Sequence, residues 1–258
     1  MDEIAYGHGQ KYLTMVYQID HGCRRLLWIG KNHTEETLQS FFTEFGEKFS
    51  KSLLYVCSDM WKPYLKVISA NAAKALNILD RFHIMKHMSE AVDDVRRGEV
   101  RRLKAEKKEA VLAKSRYCFL KRPENLTEKQ SLRLGELLGM NLRTVKAYIL
   151  KESFQLFWEY SRPSWAGRYL DSWCRMAMRS RLEPMKEFAR MIRSHRELIL
   201  NWFKAKKEFN SGIVEGLNNK ARTRIKMAYG YRNVQTFITA LFHQMGNLPV
   251  APDAHRFF

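Results

Sequence analysis

The segment from Asn210 to Tyr231 combines one carboxylate with a run of basic and amide side chains. Glu215 stands near the start of the helix that this segment predicts, and Asn218, Asn219 and Arg222 follow it by three, four and seven residues. Residues at these spacings share one face of a helix. Further positive charge around the helix comes from Lys220, Arg224 and Lys226. The mixture suits a phosphodiester substrate, but a solvated basic helix with an ordinary surface glutamate explains it equally well.

Two further acids stand at the ends of predicted strands. Asp2 precedes a predicted hairpin, and Asp59 follows the apolar run Leu53–Cys57, at the end of a strand where open α/β sheets place their sites. A strand-end aspartate on its own is more often a turn residue. Together with Glu215, however, these acids could hold a pair of divalent ions about 4 Å apart, as in in-line displacement at phosphorus. Carboxylate and water ligands favour Mg²⁺ or Mn²⁺.

Composition favours an anionic partner. The 45 Lys and Arg outnumber the 27 Asp and Glu, which gives a net charge of +18 in 258 residues. Such a charge attracts nucleic acid or an anionic membrane. Nucleic acid is the better prediction, because no apolar run approaches the roughly 20 residues of a membrane-spanning helix. The four cysteines are scattered without a C-x-x-C pair, so we expect neither a disulfide framework nor a zinc site. This cysteine usage indicates a reducing, cytoplasmic compartment, and with nucleic acid as the predicted partner we expect a nucleoid-associated protein.

The elements that must position the acids follow a mixed α/β pattern. Lys11–Ile19 and Arg24–Ile29 read as the strands of a hairpin, with a turn at Asp20–Gly22. Thr34 is a predicted N-cap for the next helix. A buried strand (Leu53–Cys57), a helix that begins near Pro63 and a strand over Leu76–Ile84 come next. The order predicts a mixed sheet with helices against it.

After Met88 the pattern is entirely helical. Helices are predicted over Ala91–Leu120, Leu142–Tyr160, Trp165–Arg179 and Pro184–Lys206, and Thr127 with Gln130 predicts a capping box for a further one. The predicted core includes Trp158, Trp165, Trp173 and Trp202 together with Met176, Met178, Met185 and Met191. We therefore expect a first core segment at 1–88, a helical insertion of about 115 residues at 89–205, and a closing core segment at 206–258 that carries Glu215.

The chain resembles the catalytic domain of bacterial DDE insertion-sequence transposases of the ISL3 family over nearly all of its length. The matching segments are DEIAYGHGQKYLTMVYQID, SDMWKPY, DRFHIMKH, SRYCFLKRPENLT and NSGIVEGLNNKARTRIKMAYGYRN. The resemblance implies a ribonuclease-H-like fold with a helical insertion, and a catalytic triad at Asp2, Asp59 and Glu215. It implies metal-dependent cleavage of double-stranded DNA at transposon ends followed by strand transfer into a target. It further implies a homodimer or larger synaptic complex.

Several residues are predicted to support that site. Asp80 and His83 match an Asp-x-x-His pattern that lies near the active site in related transposases, and both reach one site only if the strand ends or bends between them. DNA contacts are predicted for Asn219, Lys220, Arg222, Arg224 and Lys226, with Asn218 behind the catalytic acids. A second basic block, at Arg96, Arg97, Arg101, Arg102, Lys104, Lys107 and Lys108, could equally be a solvated helix face. Tyr229 and Tyr231 are predicted to pack at the end of the helix.

The chain begins one residue before Asp2. Full-length relatives carry an amino-terminal zinc-binding segment and a helix-turn-helix region, which this chain lacks, so we read it as a truncated product whose first strand is expected to fray. Two alternatives to an active transposase stay open. One is a non-catalytic DNA-binding remnant, and the other is a ribonuclease-H-like structure-specific nuclease. Only an enzyme should depend on a metal ion and on Asp59 and Glu215.

Overall fold

A computed structural model describes residues 1–6, 11–20, 22–108, 111–207, 211–227 and 233–248. They belong to two compact units: Met1–Asp80 with Glu208–Phe258, and Arg81–Lys207. The first unit is mixed α/β and the second is helical. No helix among the described residues is both long and apolar enough to span a bilayer.

The first unit contains five strands and four helices among the described residues. The strands are β1 (Asp2–Ala5), β2 (Tyr12–Asp20), β3 (Cys23–Lys31), β4 (Tyr55–Ser58) and β5 (Leu76–Leu79). The helices of both units, in chain order, are α1 (Glu35–Ser52), α2 (Lys62–Asn71), α3 (Arg81–Ala105), α4 (Arg116–Leu120), α5 (Glu128–Leu138), α6 (Arg143–Gln155), α7 (Pro163–Arg179), α8 (Glu183–Ser194), α9 (Arg196–Lys204), α10 (Ser211–Met227) and α11 (Val234–Met245). Of these, α1, α2, α10 and α11 lie in the first unit.

The strands form two ladders. β1, β2 and β3 are antiparallel in that order, and β4 pairs with β5 in parallel. The predicted hairpin is confirmed, with Gly22 at a φ of +83° that favours glycine; His21, in the predicted turn, lies outside the described residues. All four residues of β1 are paired, beginning with Asp2 opposite Met15, so the expected fraying is not observed. The amino group of Met1 donates to the carbonyl of Cys57 at 2.8 Å, which brings the start of β1 next to β4.

The antiparallel ladder is covered on both faces. Side chains alternate along a strand, so successive residues pack against different helices. On one face the buried side chains of the strands pack with those of α10 and α11: Ile4, Leu13, Met15, Tyr17 and Leu26 with Val214, Ala221, Phe237, Ile238, Leu241 and Met245. On the other face Val16 and Trp28 pack with apolar residues of α1 and α2, among them Leu38, Phe41 and Tyr64.

Element boundaries correct several predictions. The strand predicted over Leu76–Ile84 ends at Leu79, because α3 begins at Arg81. The buried strand predicted over Leu53–Cys57 is shifted to Tyr55–Ser58. The helix predicted over Ala91–Leu120 is two helices, and Pro184–Lys206 is also two, broken at His195, whose backbone leaves helical geometry.

Local capping signals were predicted correctly. The Thr34 side chain accepts the Thr37 N–H at the start of α1, and Thr127 with Gln130 forms the expected capping box. Among the predicted core tryptophans, Trp158, Trp173 and Trp202 are buried.

Trp165 and Met176 were expected in the core and are not there. They are 52% and 47% exposed, whereas Met185 is buried. Trp165 stands near the start of α7, where the guanidinium of Arg168 lies 4.8 Å from its ring centroid. A charged group one turn along the helix thus replaces core contacts for this ring.

Glu99 has a structural role that its place in a basic segment did not predict. Its side chain is fully buried, and its carboxylate accepts the N–H groups of Arg143 (2.9 Å) and Thr144 (2.7 Å) and the Thr144 hydroxyl (2.7 Å). Arg102 donates to the same carboxylate at 3.1 Å. Glu99 therefore caps the amino terminus of α6 from the neighbouring helix α3.

We expect Glu99→Ala to lower the free energy of unfolding of the helical unit by about 2–4 kcal/mol, because two helix N–H groups lose their acceptor in a buried place. Chemical denaturation at pH 7 measures this loss. Glu106→Ala is the matched control, since Glu106 also pairs with Arg102, at 3.5 Å, but is exposed. Equal losses in both variants would contradict the capping role.

The same carboxylate predicts a pH dependence. Burial raises the pKa of Glu99, but the hydrogen bonds from Thr144, Arg143 and Arg102 outweigh it, so the pKa lies below its usual value. Its stabilising contribution is therefore complete above the ordinary glutamate pKa of about 4.3 and is lost as the pH falls through the lower folded-state pKa. The stability difference between wild type and Glu99→Gln should shrink in that acidic range.

Candidate functional site

The alternation of β1 separates the two acids at its start. Asp2 shares a strand face with Ile4, which packs with Val214 of α10. Glu3 points to the opposite face, where its carboxylate lies 2.8 Å from Nε2 of His33. The two neighbouring acids therefore belong to different groups of side chains.

Asp2 is bonded to helix α10. The Asn218 amide donates to one carboxylate oxygen of Asp2, while the other accepts the N–H of Glu3 at 2.8 Å. The Tyr17 hydroxyl donates to the Asn218 carbonyl oxygen at 2.6 Å. Burial and the nearby charge of Asp2 raise the pKa of Tyr17, so it remains a protonated donor. Asn218 is only 1% exposed, so this chain of hydrogen bonds satisfies a buried amide.

Glu215 lies on α10, three residues before Asn218, and its side chain is exposed. That spacing places it on the same side of the helix as the residue that binds Asp2. The helix itself is held by Val214 and Ala221, whose side chains are buried against the sheet. Glu215 is thus an exposed acid on the helix that contacts the Asp2 strand.

Asp59 lies between β4 and α2, as predicted. Its carboxylate accepts the N–H of Trp61 at 3.1 Å. Within the described residues, the cluster of acids and histidines close enough to share a metal ion is Glu3, His33 and Asp59, whose ligand atoms all lie within 4.8 Å of one another. The predicted set of Asp2, Asp59 and Glu215 does not form such a cluster in the part of the chain that the structure describes.

Sequence reasoning missed Glu3 and His33. The ring of His33 packs against that of Trp61, tilted by 39° with 3.8 Å between centroids, and meets the edge of Tyr64 at 5.1 Å. Burial lowers the pKa of His33, although the charge of Asp59 acts in the opposite direction. No spacing pattern indicates this group, because three separate segments supply its members. The alternation of β1 was the one available signal that Glu3 leaves the Asp2 face.

The predicted pair Asp80 and His83 is divided by the end of the strand. Asp80 is the last residue of the first unit, and its N–H donates to the carbonyl of Ser58 at 2.8 Å. His83 lies in the first turn of α3, in the helical unit. The strand does end between them, as a shared site would require; a shared role stays a prediction.

The basic side chains of α10 are exposed to solvent. Lys220, Arg222, Arg224 and Lys226 are exposed, and among the described residues none of them forms a salt bridge. Asn219 is also exposed and accepts from Arg222 at 3.2 Å. Tyr229 and Tyr231 lie outside the described residues. An unneutralised helix of this kind is suited to phosphate groups.

The other basic block is partly neutralised. Arg96 pairs with Asp93 at 2.8 Å, Arg97 with Asp94, and Arg102 with Glu99 at 3.1 Å. These ion pairs favour a structural role for this face of α3.

A groove of about 730 Å³ opens beside Arg224. Polar side chains of α11 and its N-cap line it, including Asn233, Gln235, Thr239 and His243. Its lining among the described residues includes no acidic side chain, so this part of it extends the anion-compatible surface of α10.

Comparison with known proteins gives consistent results. A family model for ISL3 transposases, described as "Transposase", matches residues 1–241. The transposase for insertion sequence element IS1001 of Bordetella parapertussis is 31% identical over 239 residues, which cover 92% of this chain and 58% of that protein. The transposase for insertion sequence element IS1557 of Mycobacterium tuberculosis is 28% identical, over 99% of this chain and 62% of that protein. The chain thus spans less than two thirds of these relatives. No solved structure matches it.

The buried amide provides a direct test of this site. Asn218→Asp places a second carboxylate against Asp2, and we expect it to lower the free energy of unfolding at pH 7 by about 2–4 kcal/mol. The loss should shrink as the pH falls toward about 4, where carboxyl groups take up protons. Asn219→Asp, on the exposed neighbour, should change stability by no more than about 0.5 kcal/mol. Urea denaturation at both pH values measures these differences, and equal effects at the two positions would refute the network.

Proposed function

This chain belongs to the ISL3 family of transposases, and from that premise we propose that it is the catalytic domain of an insertion-sequence transposase of the DDE type. Its activity would be metal-dependent cleavage of DNA followed by strand transfer. The observation that carries the proposal is α10. It holds an exposed acid, Glu215, and four exposed cations that form no salt bridge with any described residue, and it is bonded through Asn218 to the strand that carries Asp2.

We propose a ribonuclease-H-like core for the first unit. The hydrogen bond from Met1 to Cys57 supports a single mixed sheet in which β1 lies between β2 and β4. The helical residues at 89–205 would then be an insertion between the two core segments at 1–88 and 206–258. The division of the chain into two compact units, with boundaries near these positions, supports that organisation.

Asp2, Asp59 and Glu215 are the proposed catalytic residues and metal ligands. Their donors are carboxylates, which suit Mg²⁺ or Mn²⁺. Two bound metal ions would supply an activated nucleophile and stabilise the leaving oxygen. The protein's own part is positional: the Asn218 amide orients Asp2, and the Trp61 N–H orients Asp59. Asp80 and His83 remain proposed supporting residues.

Double-stranded DNA is the proposed substrate, at transposon ends and at the target. Lys220, Arg222, Arg224 and Lys226 would contact phosphates, with Asn219 beside them. Phosphate contact fixes the position of the DNA but carries no base sequence. A homodimer or larger synaptic complex, acting in the bacterial cytoplasm, is part of the proposal.

Cleavage is tested by nicking of supercoiled plasmid in Mg²⁺ or Mn²⁺. Asp59→Asn or Glu215→Gln should reduce the rate about 100-fold or more, since metal ions contribute several kcal/mol to such reactions. Asp20→Asn and Glu47→Gln, at exposed acids of the same unit, are the controls and should nick at the wild-type rate. Nicking without metal, or unaffected by the two site substitutions, would refute the site.

Two further outcomes separate the alternatives. Wild-type protein that binds DNA but does not nick it would make this chain a non-catalytic DNA-binding domain. Metal-dependent cutting confined to branched substrates or RNA–DNA hybrids would favour a structure-specific nuclease.

DNA binding is tested through its salt dependence. Each phosphate neutralised contributes about 0.9 to the slope of log affinity against log salt, so Arg222→Gln/Arg224→Gln should reduce the slope by about two. Lys48→Gln/Lys74→Gln removes two exposed charges from the same unit as a matched control. Fluorescence anisotropy between low and moderate salt measures both. Equal slopes in the two double variants would exclude α10 from the interface.

A further inference from the structure

We propose that Glu3, His33 and Asp59 form a binding site for one divalent transition-metal ion, with preference for Mn²⁺ or Zn²⁺ over Mg²⁺. The inference shares only Asp59 with the proposed function and otherwise stands on different residues. Glu3 lies on the face of β1 opposite to Asp2, and His33, which follows β3, lies beside it.

The ligand atoms are already close to a coordination geometry. All three lie within 4.8 Å of one another, and Glu3 Oε1 is 2.8 Å from His33 Nε2. Two atoms bound to one ion at about 2.0–2.2 Å can be no more than about 4.4 Å apart. In a tetrahedral site such atoms are about 3.4 Å apart, so side-chain adjustments of up to about 1.5 Å close the site.

The imidazole nitrogen that faces the carboxylates is His33 Nε2, which pairs with Glu3 Oε1 at 2.8 Å only when the imidazole is protonated. His33 Nε2 is buried, and it makes no hydrogen bond within the part of the chain that is described. The nearby Glu3 oxygen is at a suitable distance, but its direction does not suit a hydrogen bond. Buried polar atoms normally have a partner, and a metal ion between the imidazole and the two carboxylates would provide one.

The surrounding contacts hold two of the ligands in place. The His33 ring packs at a tilt against Trp61 and meets the edge of Tyr64, and the Trp61 backbone N–H donates to Asp59. The Tyr64 hydroxyl is itself hydrogen-bonded to Thr14, with 2.6 Å between the oxygens. Residue 61 thus orients the imidazole through its ring and the carboxylate through its backbone, as the outer contacts of metal sites do.

The donor set indicates the class of ion. An imidazole with two carboxylates carries two negative charges when the imidazole is neutral, which matches a divalent cation. Mg²⁺ prefers oxygen ligands and retains its waters, whereas imidazole favours Zn²⁺ and related transition ions, and carboxylates also accept Mn²⁺. Because Asp59 belongs to both donor sets, an ion held here would fix the orientation of a proposed catalytic carboxylate.

The test is titration of the metal-stripped full chain with Co²⁺, followed by visible absorption, and with Mn²⁺, followed by calorimetry. Neither readout requires catalytic activity. His33→Phe keeps the ring packing and removes both nitrogens, and Glu3→Gln removes one carboxylate. Each should weaken binding at least about tenfold, the effect that loss of even an outer contact of a metal site can produce. His87→Phe is the matched control, since His87 also lies near one carboxylate, Glu90 at 3.1 Å, but on an exposed helix surface.

Asp2→Asn and Glu215→Gln separate the inference from the proposed function. Affinity that falls in His33→Phe and Glu3→Gln, but not in Asp2→Asn, Glu215→Gln or His87→Phe, supports the site, even if the wild type does not nick DNA. Unchanged affinity in His33→Phe and Glu3→Gln overturns it, even if nicking still depends on Glu215. Binding lost only in Asp2→Asn and Glu215→Gln would assign the ion to the other carboxylates and also overturn it.

Discussion

The hydrogen bond between Asn218 and Asp2 is the constraint on which the arrangement of the first unit depends. It joins residues 216 positions apart, one on the first strand and one on helix α10. A buried amide beside a carboxylate would be costly if either group lacked a partner. The Tyr17 hydroxyl completes the chain of donors and acceptors. A rotation of α10 about its axis would break all of these contacts, so the polar network specifies an orientation that the apolar packing of Val214 and Ala221 alone would leave less defined.

Successive side chains of β1 point to opposite faces of the strand, and this alternation separates Asp2 from Glu3. It sends Asp2 toward α10 and Glu3 toward α2, so two acids adjacent in sequence serve different surroundings. On one side the partner is an amide that only donates to the carboxylate. On the other side the partners are an imidazole and a second carboxylate, which together can accept a cation. One short strand thus places acids in both groups, and a shift of one residue in its register would exchange them.

Features set by neighbouring residues could be predicted from the sequence. The Thr34 cap, the Thr127–Gln130 capping box and the hairpin depend on contacts within a few residues, and each is confirmed. The order of elements likewise predicted an acid after a strand and an acid on a late helix. Long-range geometry could not be predicted, because nothing near His33 in sequence shows that Glu3 and Asp59 lie beside it. The same reason explains Glu99, whose partners at Arg143 and Thr144 are more than forty residues away.

The positive charges of α10 repel one another, so stabilisation of the fold does not explain why the helix carries them. Lys220 and Arg224 are four residues apart, as are Arg222 and Lys226, and like charges at that spacing destabilise a helix by a few tenths of a kcal/mol per pair. Among the described residues no acid offsets either pair, whereas the basic residues of α3 have Asp93, Asp94 and Glu99. The two helices therefore use similar compositions differently. In α3 the charges are paired within the fold, and in α10 they remain available to a polyanion, which would relieve their repulsion on binding.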